Sequence, residues 1–158
     1  MSEMSFEALL YQEMQDVYDA EHQITEALPL MASHATSSTL RKSFEKHLQQ
    51  TEEQITRIES AAKLLNVSPK GKKCKGMEGV IKEGAEALKM DSSDVTDAAL
   101  IGAAERVEHY EMAAYESLIL LAKQVKVPRK VVQLLKLNMN EEKDTAKKLT
   151  EIAKTVGS

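Results

Sequence analysis

Along residues 93–126, apolar side chains recur at spacings of three and four (Ala104, Val107, Ala114, Leu118, Leu121, Val125), which marks a helix with one dry face. Two carboxylates fall on that face. Glu111 is in line with the stripe and Glu108 lies one turn before it, within Glu108-His109-Tyr110-Glu111. An unpaired ionised carboxylate in a core costs several kcal/mol or takes up a proton. Any fold open to this chain must therefore supply partners for both groups.

Three further stretches carry stripes of the same kind, each turning polar near its middle. The first, capped by Ser5 and running to about Ala32, reads Phe6, Leu10, Met14, Val17, Glu21, Ile24, Leu28, Met31. Pro29 lies near its end, where it would kink the last turn. The second begins after Thr36-Ser37-Ser38 and runs to about Asn66, with His47, Gln50, Thr51 and Gln54 where leucines would be expected. The last follows Val127-Pro128, with Pro128 placed as its first residue, and continues to about Thr155 through Leu135, Met139, Glu142, Thr145, Leu149 and Ile152. Glu142 is on that stripe, and Glu141 is turned about 100° from it, toward solvent. Between the two helix pairs, Asn66 to Gly76 reads as a solvated loop, and Met77 to Met90 as a short helix or a pair of turns.

Four long helices in two hairpins predict an all-α, antiparallel four-helix bundle with a short extra helix in the crossover. Hairpin geometry then sets residue depth. With the first turn near residue 36, Glu21 faces the neighbourhood of Thr51. With the second near 127, Glu111 faces that of Glu142. At about 1.5 Å per residue, the polar interruptions share one level, halfway down the bundle. Four inward glutamates (Glu21, Glu108, Glu111, Glu142) beside His47 are what a dinuclear metal site needs, because carboxylates neutralise and bridge divalent ions and imidazole completes the coordination. The usual plan puts Glu-x-x-His on two of the helices. Here the second helix offers His47-x-x-Gln50 and the last Glu142-x-x-Thr145. The alternative reading is a buried hydrogen-bonded layer that fixes bundle register, with Arg57 and the tyrosines as partners.

The net charge of −4 argues against a nucleic-acid partner. A lone cysteine, Cys74, excludes an internal disulfide framework and fits a cytoplasmic setting. No apolar run reaches membrane-spanning length, and the polar start Met1-Ser2-Glu3 lacks the pattern of a signal peptide. The 158 residues are expected to form one domain, 1–158. No Ser/His/Asp triad, phosphate-cradling glycine loop or zinc-type cysteine spacing is present.

Several segments, in order, resemble the YciF-like family of bacterial ferritin-like stress proteins. They are Tyr18-Asp19-Ala20-Glu21, His47-Leu48 with Thr51, Gln54 to Arg57, Cys74 with Met77-Glu78-Gly79, Asp97 to Ile101, Val107 to Glu111 through Tyr115, and Glu141-Glu142-Lys143. The resemblance covers nearly the whole chain. It implies a ferritin-like bundle, kinship to di-iron proteins such as rubrerythrin, homodimers, and a link to stress responses without an established reaction. Matched by position, Glu21, His47, Glu108, Glu111 and Glu142 are the candidate ligands of an iron or manganese pair, with Gln50 a weak extra ligand. Family members typically carry Glu where Gln50 stands, so dinuclear, mononuclear and empty sites all stay open. Fe(II), peroxide or dioxygen would be the substrate of a rubrerythrin-like or ferroxidase-like oxidoreductase; a non-catalytic structural or interaction protein is the alternative.

Among the remaining residues, Tyr18 and Tyr115 lie one turn from Glu21 and Glu111, and Thr51 and Gln54 lie near the layer, so all four are candidates to steady the ligands by hydrogen bonds. His22 and His109 are turned about 100° from their glutamate neighbours and are expected to face outward. His34 is expected at the surface. Cys74, among lysines, is expected to be a plain loop cysteine, with an exposed redox thiol as the alternative. Lys70, Lys72, Lys73 and Lys75 are expected to be a solvated loop.

Overall fold

Three serines start three of the helices in the way their sequence positions suggest. The hydroxyl of Ser5 accepts from the Ala8 amide (3.0 Å) and opens α1 (Phe6–His34). Ser37 accepts from Leu40 and opens α2 (Ser38–Leu64), and Ser93 accepts from Thr96 and opens α4 (Asp94–Val125). Each such cap is worth about 1 kcal/mol, because it satisfies an amide that the helix itself cannot. Between them, α3 (Lys75–Gly84) runs into a 3-10 turn at Ala85–Lys89, and α5 is Arg129–Ala153. Pro128 sits at the N-cap of α5, one residue before its first turn. Residues 3–158 are described in this computed structural model, so the polar start at Met1-Ser2 lies outside them.

The helices pair as two hairpins, α1 with α2 and α4 with α5, and α1 packs on α4 while α2 packs on α5. That closes an all-α four-helix bundle, with α3 and the 3-10 turn lying over α1 and α4 as the crossover. No strand occurs among the described residues. No helix among them is long and apolar enough to cross a membrane.

The core is in two parts. One apolar cluster contains Leu10, Met14, Ile58, Tyr115, Leu118 and Leu135; the other contains Ile24, Phe44, Leu100, Ala104 and Leu149, together with Cys74 and Met77 of the crossover. Between them lies the polar layer: Glu21, His47, Thr51, Gln54, Glu108, Glu111, Asn138, Glu142 and Thr145 are all buried.

Several placements differ from the sequence reading. Phe6, assigned to the first stripe, is 59% exposed, because it begins the helix before any neighbour covers it. His34 is half-buried, with its Nε2 3.0 Å from the Met90 carbonyl that follows the crossover. Cys74 is fully buried, not an exposed loop thiol. Its sulfur accepts from the Met77 amide as the N-cap of α3 and lies 3.2 Å from the Tyr110 hydroxyl, and its own amide donates to Asp19. Burial, foremost, pushes its thiol pKa up.

A further anchor was not visible in the sequence. The Asp97 carboxylate, on α4, accepts from the amides of Thr36 (2.7 Å) and Ser37 (2.9 Å), so it ties the α1–α2 turn to the second hairpin. Asp97→Ala would strand two amides at a half-covered turn, and is expected to cost about 2–3 kcal/mol in urea denaturation. An unchanged midpoint would show that water replaces the carboxylate.

Candidate metal centre

The four bundle helices each deliver a side chain to the layer. Glu21 comes from α1, His47 from α2, Glu108 and Glu111 from α4, and Glu142 from α5. Each lies on the apolar stripe of its helix, so burying the stripe also buries the polar group. Their ligand atoms gather into two groups, His47/Glu108/Glu142 and Glu21/Glu111/Glu142, with the atoms of each group within 4.8 Å of one another. Glu142 belongs to both.

These groups are poorly satisfied by the protein. The Nε2 of His47 lies 2.8 Å from Oε1 of Glu108 and 3.9 Å from Oε2 of Glu142, yet neither approach has hydrogen-bond geometry. Both oxygens of Glu108 and of Glu111, Oε2 of Glu21 and of Glu142, and both His47 nitrogens have no hydrogen-bond partner. Buried acceptors that converge without donors leave two resolutions: the carboxyls take up protons, or cations sit among them.

In the absence of ions, burial works toward the first resolution. Burial pushes the Glu21 carboxyl up to about 7; the Glu142 charge adds to the rise, while the hydrogen bond from Tyr115 opposes it. Burial likewise takes Glu108 up to about 8. Glu111 and Glu142 are pushed well above the usual carboxylate range, first by burial and then by neighbouring carboxylates. Without cations, then, Glu21 and Glu111, and likewise Glu108 and Glu142, each bring carboxylate oxygens within 4.8 Å of one another.

The donor set also fits the second resolution. Four carboxylates carry a formal charge of −4, which two divalent ions cancel, and a neutral imidazole adds a nitrogen to one group. The group of Glu21, Glu111 and Glu142 offers only hard oxygen atoms, whereas the His47 group is mixed. Gln50 is half-buried, and its carbonyl oxygen accepts from the Thr145 hydroxyl at 3.2 Å, so a ligand role would compete with that bond.

Around the five residues runs a chain of hydrogen bonds. Tyr115, fully buried, donates to Oε1 of Glu21 at 2.7 Å and accepts from Asn138 at 3.1 Å. Asn138 also donates to the Gln54 carbonyl and accepts from Arg57, which in turn forks onto Glu141. Gln54 donates to Glu141 at 3.2 Å and, against the rise from burial, pulls the Glu142 pKa down. Thr51 back-bonds to the His47 carbonyl at 2.8 Å and so acts on that residue only through its backbone. Tyr18 was expected beside Glu21, but its hydroxyl donates to Glu59 at 2.9 Å and its ring packs edge-on against His22. Helical direction explains this: the side chain at position 18 leans toward the α1–α2 side, away from the layer. Glu141 is not in solvent; Arg57 holds it at the layer's edge. His22 and His109 are exposed. Asn138 was missed by the sequence reading, although its spacing of four from Glu142 was a usable signal. Tyr115→Phe would leave Asn138 and Glu21 each short of a buried partner, and is expected to cost about 1–3 kcal/mol in the metal-free protein by thermal unfolding. A neutral result would mean that the hydroxyl does not steady Glu21.

Residues 5–157 match the family described as "Domain of unknown function (DUF892)". Protein YciF of Escherichia coli (strain K12) is 42% identical over 142 residues, 89% of this chain and 85% of that protein. The chain belongs to this YciF-like family. The crystal structure of the E. coli stress protein YciF superposes with a TM-score of 0.91 at 40% identity, covering 96% of each chain. YcfI of Rhodopseudomonas palustris, provisionally described as a structural protein, superposes at 0.89 with 39% identity, covering 93% of this chain and 94% of that one. The YciF-like fold thus accounts for the bundle and its crossover.

Proposed function

We propose that this YciF-like chain is a ferritin-like stress-response protein whose mid-bundle layer holds two iron or manganese ions. The observation that carries this reading is the pair of buried ligand groups that share Glu142. Glu142 would serve both ions, with Glu108 and His47 holding one and Glu21 and Glu111 the other. An iron or manganese pair in such a carboxylate cage supplies redox chemistry toward peroxide or dioxygen, or toward further Fe(II). The protein's own part is to neutralise charge, hold the ligands and exclude water. Tyr115 fixes one oxygen of Glu21, the Arg57–Glu141 fork anchors Asn138 and Gln54, and the two apolar clusters keep bulk solvent from both ends of the layer. The stress setting comes from the relative's description as a stress protein.

Elemental analysis after anaerobic loading with Fe(II), then Mn(II), tests the reading. About two ions per chain are expected, and none in Glu111→Ala at the all-oxygen position. Near zero in the native chain would overturn it. A second reading, a non-catalytic structural protein whose layer sets register, is favoured by the burial that holds the Glu21 and Glu108 carboxyls toward their protonated, neutral forms. The proposal also includes a cytoplasmic homodimer. Exposed Leu120 on α4 and Leu137 on α5 are compatible with a partner face, and light scattering at about twice 17.6 kDa would support it.

A further inference from the structure

His47 forms part of the wall of two cavities on opposite sides of the layer, and their chemistry differs sharply. The first, of about 260 Å³, lies between α1, α4 and the crossover. Its walls are apolar: Ile24, Leu28 and Met31 from α1, Val80 and Leu88 from the crossover, and Val107 from α4. Small residues make the room, Ala27, Ala103 and Ala104 among them. At one edge the crossover backbone comes so close that a Cβ on Gly84 would meet that of Ala103 at 2.9 Å. Leu30, 57% exposed, stands at the margin. The polar side chains on the walls are Gln23, exposed Glu26 and buried His47 with its unpartnered nitrogens.

The second cavity, of about 450 Å³, lies between α2 and α5 and is cationic. Lys42, Lys46, Lys147 and Lys148 line it above His47 and Gln50. Its carboxylate, Glu151, is already paired with Lys154. A field of that sign repels a divalent cation.

We propose that the cavity between α1, α4 and the crossover binds a small uncharged apolar molecule with one end against His47. The proposal stands on the cavity itself and does not depend on the metal reading above. An apolar wall with one buried polar group at its end is how proteins bind and orient such ligands between helices. The cavity's size sets the limit at a short alkyl chain or a single ring.

The test uses the full chain without added metal, so that its outcome does not depend on metal binding. Titration with 1-hexanol and with hexanoate is followed by NMR at the Ala27 and Ala103 methyls and the His47 ring. Saturable shifts at all three for hexanol, with hexanoate at least tenfold weaker, are expected. Ala27→Leu and Ala85→Leu, each filling the cavity from a half-buried position, should weaken hexanol at least tenfold. No saturable shift, equal binding of hexanoate, or binding indifferent to both variants in folded protein would overturn the proposal. If a variant fails to fold, the hexanol–hexanoate comparison on the native chain still decides. A metal count near zero would defeat the metal reading while leaving the hexanol result intact.

Discussion

Glu142→Leu is expected to lose both ions at once and to make the metal-free protein more stable. Glu142 belongs to both ligand groups, so removing it leaves each with two ligands. In the metal-free protein the same carboxyl is a liability: burial and the adjacent Glu108 charge push its pKa well above normal, and its Oε2 has no donor. Leucine fills similar space without that penalty, and replacing buried charged groups by apolar ones of similar volume has gained about 1–4 kcal/mol elsewhere. For a chain of this length, that corresponds to a rise in Tm of very roughly 2–15 °C. Metal content by elemental analysis and Tm by calorimetry check the two halves separately. Two ions retained would remove Glu142 from the bridging role. Lost stability in the metal-free variant would mean that its carboxyl is a structural partner, and would count against the register reading, under which leucine is tolerated or stabilising. Glu108→Gln makes a useful contrast, because it is expected to weaken the His47 group and leave the Glu21/Glu111/Glu142 group intact.

Metal-free protein should become less stable as pH rises from about 4.5 to 8. In the unfolded chain the layer glutamates have ordinary carboxylate pKa values, while in the folded chain Glu21 is near 7 and Glu108 near 8, with Glu111 and Glu142 also raised. The native state therefore binds more protons across this window, and stability falls with pH wherever that holds. The contribution is fully present below the unfolded value and is lost as pH passes through the folded ones. Several coupled carboxyls make the total on the order of several kcal/mol. Divalent metal should abolish the trend, because ions replace the protons and bind more tightly as pH rises. Urea denaturation at pH 5 and pH 8, with and without Mn(II), measures both. A flat metal-free profile would show that the layer is hydrated. Glu142→Leu should flatten the slope in part, which links the two experiments.

Much of this arrangement was legible because helical periodicity reports angular position. Glu21, Glu108, Glu111 and Glu142 each fell on an apolar stripe, and all four are buried; hairpin depth put them at one level, where they lie between the two apolar clusters. The serine caps were likewise local. What periodicity does not carry is the identity and distance of the neighbour. Tyr18 and Tyr115 each stand one turn from a layer glutamate, yet only Tyr115 bonds to one, while Tyr18 goes to Glu59. Glu141 read as a solvent residue because its own helix turns it outward; Arg57, from another helix, brings it to the layer's edge.

The sequence by itself determined four amphipathic helices, their pairing as hairpins, and the level at which their polar residues meet, since these follow from spacing along one chain. Only the tertiary structure decided that Glu142 is shared by two groups, that Cys74 is sealed under Tyr110, that Asp97 anchors a distant turn, and that His47 borders one apolar and one cationic cavity. The reason is that these depend on how the crossover docks and how separate helices face each other, at distances set by side-chain packing and not by the order of residues.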